Sequence, residues 1–384
     1  MGRLIEIFLV ALKLGVTSFG GPVAHLGYFR DEYVVKRKWL SDKVYQDLVS
    51  LCQFLPGPAS SQVGIGIGLM RGGLLGAVMA FLGFTLPSVA VLIVSVYLMK
   101  SMDMDLDFIK GLLLVAIAVV LHALVGMGKN TLKDRYSVLL FILSLLVALL
   151  MPSSITQIAI IVVTGCIGML VFNVKAQNTT PLNVNVSHTV SITSLLLLTL
   201  LTFILPLMAN ISDNEWLHMF DKLFRGGLLV FGGGHVVLPL LQSAFVPEML
   251  DLKTFLAGYG LTQAMPGPLF TFGSFIGTSF FGIKGGLVAM LAIFLPAFLL
   301  VIGTLPYWAK MREHRLMAQA LKGINAGVLG ILAAAWINPM ILHTVNHWMD
   351  VVLSTLLFGL LYFLKLPPWV IVVLGIMIGF VFYR

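Results

Sequence analysis

The chain has 384 residues, of which 59% are hydrophobic and only 10% charged, where an ordinary soluble domain carries about 25% charged residues. A soluble domain cannot bury that much apolar surface, because single cores stop growing at about 250–300 residues. The net charge of +8 comes from basic residues spread over short loops between apolar spans, where they act as topology signals and not as a nucleic-acid surface.

The first apolar run follows Arg3 and extends from Leu4 to Leu12, interrupted by Lys13. No small-residue cleavage site follows, so it reads as a first span, about Glu6 to Gly27, and not as a signal peptide. Next comes Val44 to Met70, broken by Pro56-Gly57-Pro58, and then Gly73 to Met99, Phe108 to Met127, Ser137 to Met151 and Ile155 to Val174. A polar linker, Lys175 to Val190, separates the halves, and Ser191 to Ala209 is an extra span. Further segments start near Leu217, Thr254, Gly285, Leu321, Val351 and Trp369. The stretches Gly72–Met99, Tyr136–Val174, Thr254–Ile283 and Leu366–Tyr383 carry no Asp, Glu, Lys or Arg, and a bilayer span needs about 20 such residues. The expected fold is an all-α, multi-pass membrane protein with about 10–13 apolar segments. Cys52 and Cys166 lie in apolar runs without a C-x-x-C and read as buried small hydrophobes.

The chain repeats itself. Phe19-Gly20-Gly21-Pro22 matches Phe231-Gly232-Gly233-Gly234 at an offset of 212 residues, and Gln53-Phe54-Leu55-Pro56-Gly57-Pro58 matches Gln263-Ala264-Met265-Pro266-Gly267-Pro268 at 210. Lys13 aligns with Arg225, and Lys110-Gly111 with Lys322-Gly323, both at 212. Two motifs in the same order with basic residues in step predict duplicated halves, 1–174 and 216–384, with 175–215 as a linker carrying one span. Duplicated halves with broken helices are the mark of secondary transporters. Arg30, Lys36, Arg37 and Lys38 face a counterpart with Glu248, Asp251 and Lys253, and Asp103, Asp105 and Asp107 face Lys310, Arg312 and Arg315. Opposite signs on equivalent loops favour inverted repeats. Treating each Pro-Gly-Pro segment as re-entrant puts these loops on consistent sides but leaves an odd number of segments between Arg135 and Lys222. Full crossings restore parity and fit the charge rule less well, so the topology stays open here.

Pro-Gly-Pro stops a helix, since proline lacks an N–H and forces its predecessor out of the α region. In each half a new helix then begins with free N–H groups and the positive dipole end facing the break, which suits an anion. Ser60, Ser61 and Thr271 add hydroxyl donors, Gln53 and Gln263 approach from the preceding half-helix, and Gly57 and Gly267 admit an oxyanion to the backbone. The competing reading is a proline kink without a ligand. Gly20, Gly21, Gly232 and Gly233 are either close-packing positions or a second backbone break facing the same cavity. Lys13 and Arg225 stand six residues before each Phe-Gly-Gly; a charge inside a span costs roughly 2.5–3.5 kcal/mol and so faces a cavity, or snorkels from near a span's end. Asp47 is a candidate proton carrier, with a helix-terminus charge as the alternative. His25 and His235 do not align, and His343 and His347 read as an interfacial loop, so no metal site and no cofactor are expected. There is no H-E-x-x-H and no G-x-S-x-G, and the near P-loop at Gly277 to Gly282 has Ile283 where its lysine must be. Neither an enzyme nor a nucleotide-driven pump is expected.

The chain resembles the chromate ion transporter family. The resemblance rests on Phe19-Gly20-Gly21-Pro22-Val23-Ala24-His25, on Gln53 to Pro58, on Phe231-Gly232-Gly233-Gly234-His235-Val236-Val237-Leu238-Pro239 and on Gln263 to Pro268. It implies a two-domain inner-membrane carrier that exports chromate and confers chromate resistance, with sulfate as competitor. Partners implied are the oxyanion, membrane lipid and a second copy in a homodimer, with no nucleic acid. Two alternatives stand beside it, an uptake carrier for a sulfate-like oxyanion and a membrane scaffold or assembly protein. The paired helix breaks, which a scaffold does not need, weigh against the last.

Overall fold

A computed structural model describes residues 2–19, 21–101, 107–173, 186–230, 237–308 and 315–383. Among these residues all regular structure is helical. The elements are α1 (Gly2–Thr17), α2 (Gly21–Phe29), which runs into a π-helical turn (Arg30–Lys36), α3 (Asp42–Phe54), α4 (Ala59–Ser101), α5 (Asp107–Thr131), α6 (Arg135–Leu150), α7 (Ser154–Val171), α8 (His188–Ile211), α9 (Glu215–Leu228), α10 (Val237–Phe245), α11 (Leu252–Ala264), a 3-10 turn (Leu269–Thr271), α12 (Phe272–Thr304), α13 (Arg315–Ala335), α14 (Trp348–Tyr362) and α15 (Pro368–Phe382). Short polar residues start many of them. Ser41, Asp134, Ser153, Ser187, Asn214 and Asp251 each accept a backbone N–H of the following first turn, satisfying donors that a helix start leaves over.

Among the described residues five stretches are long and apolar enough to cross a membrane: Ala59–Lys100, Lys110–Thr131, His188–Ile211, Leu269–Tyr307 and Arg315–Thr344. The first and fourth are helical hairpins and not single rods. α4 leaves helical geometry at Gly72 and Gly73 (φ 63°, ψ −156°), and Gly68 comes back against the Gly76 carbonyl. α12 does the same at Phe281 and Gly282 (φ 62°, ψ −153°), with Gly277 against the Gly285 carbonyl. The glycine run that mimicked a P-loop is this turn. α8 turns an apolar face outward, since Leu196, Leu200, Phe203, Leu207 and Ile211 are all exposed and hydrocarbon is their natural surrounding.

Two expected boundaries change. The span expected from Glu6 to Gly27 is interrupted, because α1 ends at Thr17 and α2 begins at Gly21. The extra span starts at His188, capped by Ser187, three residues before the expected Ser191. The charge comparisons at Asp103, Asp105, Lys310 and Arg312, and most of the polar linker, lie outside the described residues.

Contacts divide the chain into two compact units, each drawing on both halves of the sequence. One contains Met1–Ile93, Val174–Gly234 and Pro266–Ala318. Within it α12 packs along α9 and α8, Phe81 meets Phe294 and Phe298 at ring distances of 5.1 and 4.9 Å, and α1 crosses the second arm of α4 where Gly15 faces the Gly83 and Phe84 carbonyls. The other contains Val94–Asn173, His235–Met265 and Gln319–Arg384. Its centre is α5, packed against α11, α14 and α15, with Trp336 Nε1–H donating to the Ile117 carbonyl at 3.0 Å.

Candidate functional site

Both Pro-Gly-Pro segments stop a helix as proline chemistry requires. α3 ends with Leu55 extended (φ −72°, ψ 147°), and α11 ends with Met265 extended (φ −79°, ψ 143°); each precedes a proline. The central glycines take φ of +114° at Gly57 and +90° at Gly267, values that a side chain disfavours. The first segment then doubles back. A Cβ built on Gly66 would lie 2.7 Å from Leu48 Cδ1, although a straight helical path between those residues would hold them about 27 Å apart. α3 has 13 residues, or about 20 Å, short of the roughly 30 Å hydrocarbon core.

The broken backbone is satisfied by protein, as an apolar setting demands. Gly57 N–H donates to the Val230 carbonyl at 2.6 Å, and Gly267 N–H to the Ser18 carbonyl at 2.9 Å. Val230 and Ser18 each stand immediately before a Phe-Gly-Gly, so each break is tied to the end of the helix that opens the other half. Side chains take the proline carbonyls: Gln62 Nε2 donates to Pro56 O at 2.7 Å, and the Ser88 hydroxyl donates to Pro266 O.

The N–H groups of Gly57 and Gly267 already have carbonyl acceptors, so they are not the open donors of the break. The open N–H groups belong to the start of the helix that follows. The first intrahelical bond of α4 runs from Gln62 N–H to Pro58 O at 2.9 Å, which puts the N–H groups of Ala59, Ser60 and Ser61 ahead of the helical ladder. In the second half Thr271 N–H bonds Pro268 O at 3.0 Å, and the Thr271 hydroxyl also donates to Pro268 O, at 2.7 Å.

The other predicted residues are dispersed in their surroundings. Ser60, Ser61, Thr271 and Asp47 are buried, while Gln53 is exposed. Gln263, at the end of α11, is buried and its Nε2 has no hydrogen-bond partner. Lys13 and Arg225 are both ion-paired, Lys13 with Glu32 at 2.9 Å and Arg225 with Asp221 one turn earlier. Gly21 has φ +77° and a Cβ there would meet open space, so it serves the break after α1 and not close packing. Gly20, Gly232, Gly233 and His235 lie outside the described residues. His343 and His347 are exposed, and no cluster of metal-ligating side chains occurs among the described residues.

Sequence reasoning missed two features. Glu32 is buried beside three cations, Lys13, Lys36 at 3.8 Å and Arg37 at 2.9 Å. Burial pushes its carboxyl up, but the Lys13 and Arg37 hydrogen bonds and charges outweigh this and hold it below the ordinary carboxylate value. Nothing in the sequence links residue 32 to residue 13. The second feature is a group of buried polar atoms without hydrogen-bond partners: Ser18 Oγ, His25 Nε2, Ser61 Oγ, Thr85 Oγ1 and Ser274 Oγ.

The sequence profile of the family described as Chromate transporter matches residues 5–169 and 217–380. The two matched stretches begin 212 residues apart. The chain is 24% identical to an uncharacterized transporter of Methanocaldococcus jannaschii, over 98% of this chain and 94% of that protein. It is 27% identical to a chromate transport protein of Pseudomonas aeruginosa, over 87% of this chain and 80% of that one, and 26% identical to a probable chromate transport protein of Synechococcus elongatus, over 97% and 94%. No solved structure matches the chain. A profile that covers most of both halves, on an all-helical chain with several membrane-length apolar helices, identifies a multi-pass transport protein that belongs to the chromate transporter family.

Proposed function

We propose that this protein is a secondary transporter that exports chromate across the inner membrane and so confers chromate resistance. The observation that carries the reading is the match of the chromate transporter family to both halves of the chain. Two helix breaks in an apolar helical chain supply what an anion carrier needs, irregular backbone and helix starts away from bulk water. The exchange of hydrogen bonds between the halves, Gly57 to Val230 and Gly267 to Ser18, supports a two-fold relation of repeats 1–174 and 216–384, with inverted orientation favoured by the loop charges. In this reading Ser60, Ser61 and Thr271 mark the anion-facing helix starts, Gln53 and Gln263 flank them, and Lys13 and Arg225 attract the anion.

Export follows from energetics. A dianion leaving a cell that is negative inside gains about 2.3 kcal/mol per charge per 100 mV, or about 4.6 kcal/mol. Uptake against that term needs several co-transported cations. Asp47, buried on the half-helix α3 that leads to the first break, is the candidate for proton exchange. The test is chromate content in energised cells. Cells expressing the protein should hold less chromate than controls, and collapsing the membrane potential should erase the difference. Greater accumulation in expressing cells would instead assign uptake of a sulfate-like anion.

A further inference from the structure

Buried hydroxyl and imidazole groups without partners are expensive, because a lost hydrogen bond in an apolar interior is not repaid. Two of them, Ser61 and His25, lie at the start of α4. The helical arm that begins at Ala59 runs to the turn at Gly72 and Gly73, long enough to carry a dipole, and its first N–H groups precede the ladder. Ser61 is 3% exposed and its Oγ has no partner. His25 is 1% exposed; its Nδ1 lies 3.4 Å from Ser60 Oγ, while its Nε2 has no partner. A Ser60 hydroxyl donating to Nδ1 leaves the proton of a neutral imidazole on Nε2. The ring stands edge-on to Phe84, with centroids 5.4 Å apart.

We propose that His25 Nε2–H and the Ser61 hydroxyl, with the leading N–H groups of α4, form an oxyanion subsite that holds a tetrahedral dianion through neutral donors. Sulfate and chromate dianions offer only acceptor oxygens, which suits a set made of N–H and O–H donors. A neutral donor set also fits a carrier, since binding must be weak enough to release the ion. The subsite rests on the reading of the protein as an oxyanion transporter and adds His25 to it.

The test uses the full chain purified in detergent, with sodium chromate and sodium sulfate as ligands at constant ionic strength and sodium chloride as control. Thermal stabilisation gives affinity, and the ligand-free unfolding midpoint reports the fold. Ser61→Ala should leave the ligand-free midpoint equal to or above the wild-type value, because it removes an unsatisfied hydroxyl, while weakening chromate and sulfate binding about tenfold. His25→Ala should weaken binding about tenfold or more, and His25→Gln, which restores an N–H near the Nε2 position, should recover part of the loss. A lower ligand-free midpoint with unchanged affinity in Ser61→Ala would make these residues structural and overturn the proposal. So would wild-type affinity in folded His25→Ala. If the histidine variants do not fold, Ser61→Ala decides alone. Wild-type protein that neither oxyanion stabilises would overturn the oxyanion reading itself, an outcome distinct from wild-type binding with unaffected variants.

Discussion

Lys13 Nζ lies 2.9 Å from Glu32 Oε2 and so ties α1 to the π-helical turn after α2. The two partners are unequal, with the Lys13 side chain 55% exposed and that of Glu32 only 5%. The carboxylate depends on its cations far more than Lys13 depends on the carboxylate, because a buried unpaired charge is costly. Arg37, at 2.9 Å from Glu32, keeps the carboxylate paired when Lys13 is neutralised.

Lys13→Gln should accordingly cost about 1 kcal/mol or less in stability and leave the amount of protein in the membrane unchanged. If Lys13 attracts the anion, the same variant lowers the rate of chromate transport in vesicles, and Glu32→Gln does not lower it on Lys13's account. Unchanged transport kinetics in both Lys13→Gln and Arg225→Gln would remove the basic pair from the mechanism.

The two break glycines should respond unequally to a methyl group. At Gly57 a Cβ would lie 3.0 Å from Gln62 Nε2, the end of a flexible side chain, whereas at Gly267 it would lie 2.5 Å from Ser88 Oγ and 3.2 Å from the Phe84 carbonyl. Both substitutions place a side chain at positive φ, which costs roughly 1–2 kcal/mol; Gly267→Ala adds the collision. Thermal unfolding in detergent should therefore rank Gly267→Ala below Gly57→Ala. Adding Ser88→Ala to Gly267→Ala should restore part of the loss, since the oxygen in the way is gone, although Pro266 O loses its donor.

Asp134 caps α6 through Tyr136 N–H and Ser137 N–H and lies 2.7 Å from Lys322. Burial raises its carboxyl, but hydrogen bonds from Lys322 and Ser137 outweigh that and hold it below the ordinary 3.8. A depressed carboxylate stabilises the fold above its unfolded value and loses that contribution as pH falls through the folded value. Wild type should thus be more stable than Asp134→Asn by a constant amount between about pH 5 and 7, with the gap closing below about pH 4. Urea denaturation across that range measures it, and a gap that persists unchanged below about pH 3 would separate the stabilisation from this carboxyl.

Asp350 plays a similar part at the start of α14. It accepts from Asn346 N–H at 2.8 Å and His347 N–H at 3.1 Å, pairs with Lys110 at 3.1 Å and accepts the Tyr383 hydroxyl. Removing the charge leaves Lys110 without its carboxylate, so Asp350→Asn should destabilise by about 2–4 kcal/mol and Tyr383→Phe by only about 1 kcal/mol. Equal unfolding midpoints for the two variants would contradict this ordering.

Much was legible without coordinates because its cause is local. Proline before and after Gly57 and Gly267 dictates a helix stop within a few residues, and long uncharged runs dictate membrane helices. Lys110 and Lys322, which the repeat offset aligns, each pair with an aspartate at a helix start. What only the tertiary structure decided is who satisfies whom. The acceptors of the break N–H groups, Val230 and Ser18, lie far away in sequence. Only folding buries Glu32 against Lys13 and Arg37. His25 looked like an unmatched histidine until its Nδ1 was placed beside Ser60 and its Nε2 left without a partner. A hydrogen bond or ion pair between distant residues leaves no periodicity or spacing to read, because it depends on how helices cross and not on the order of residues within them.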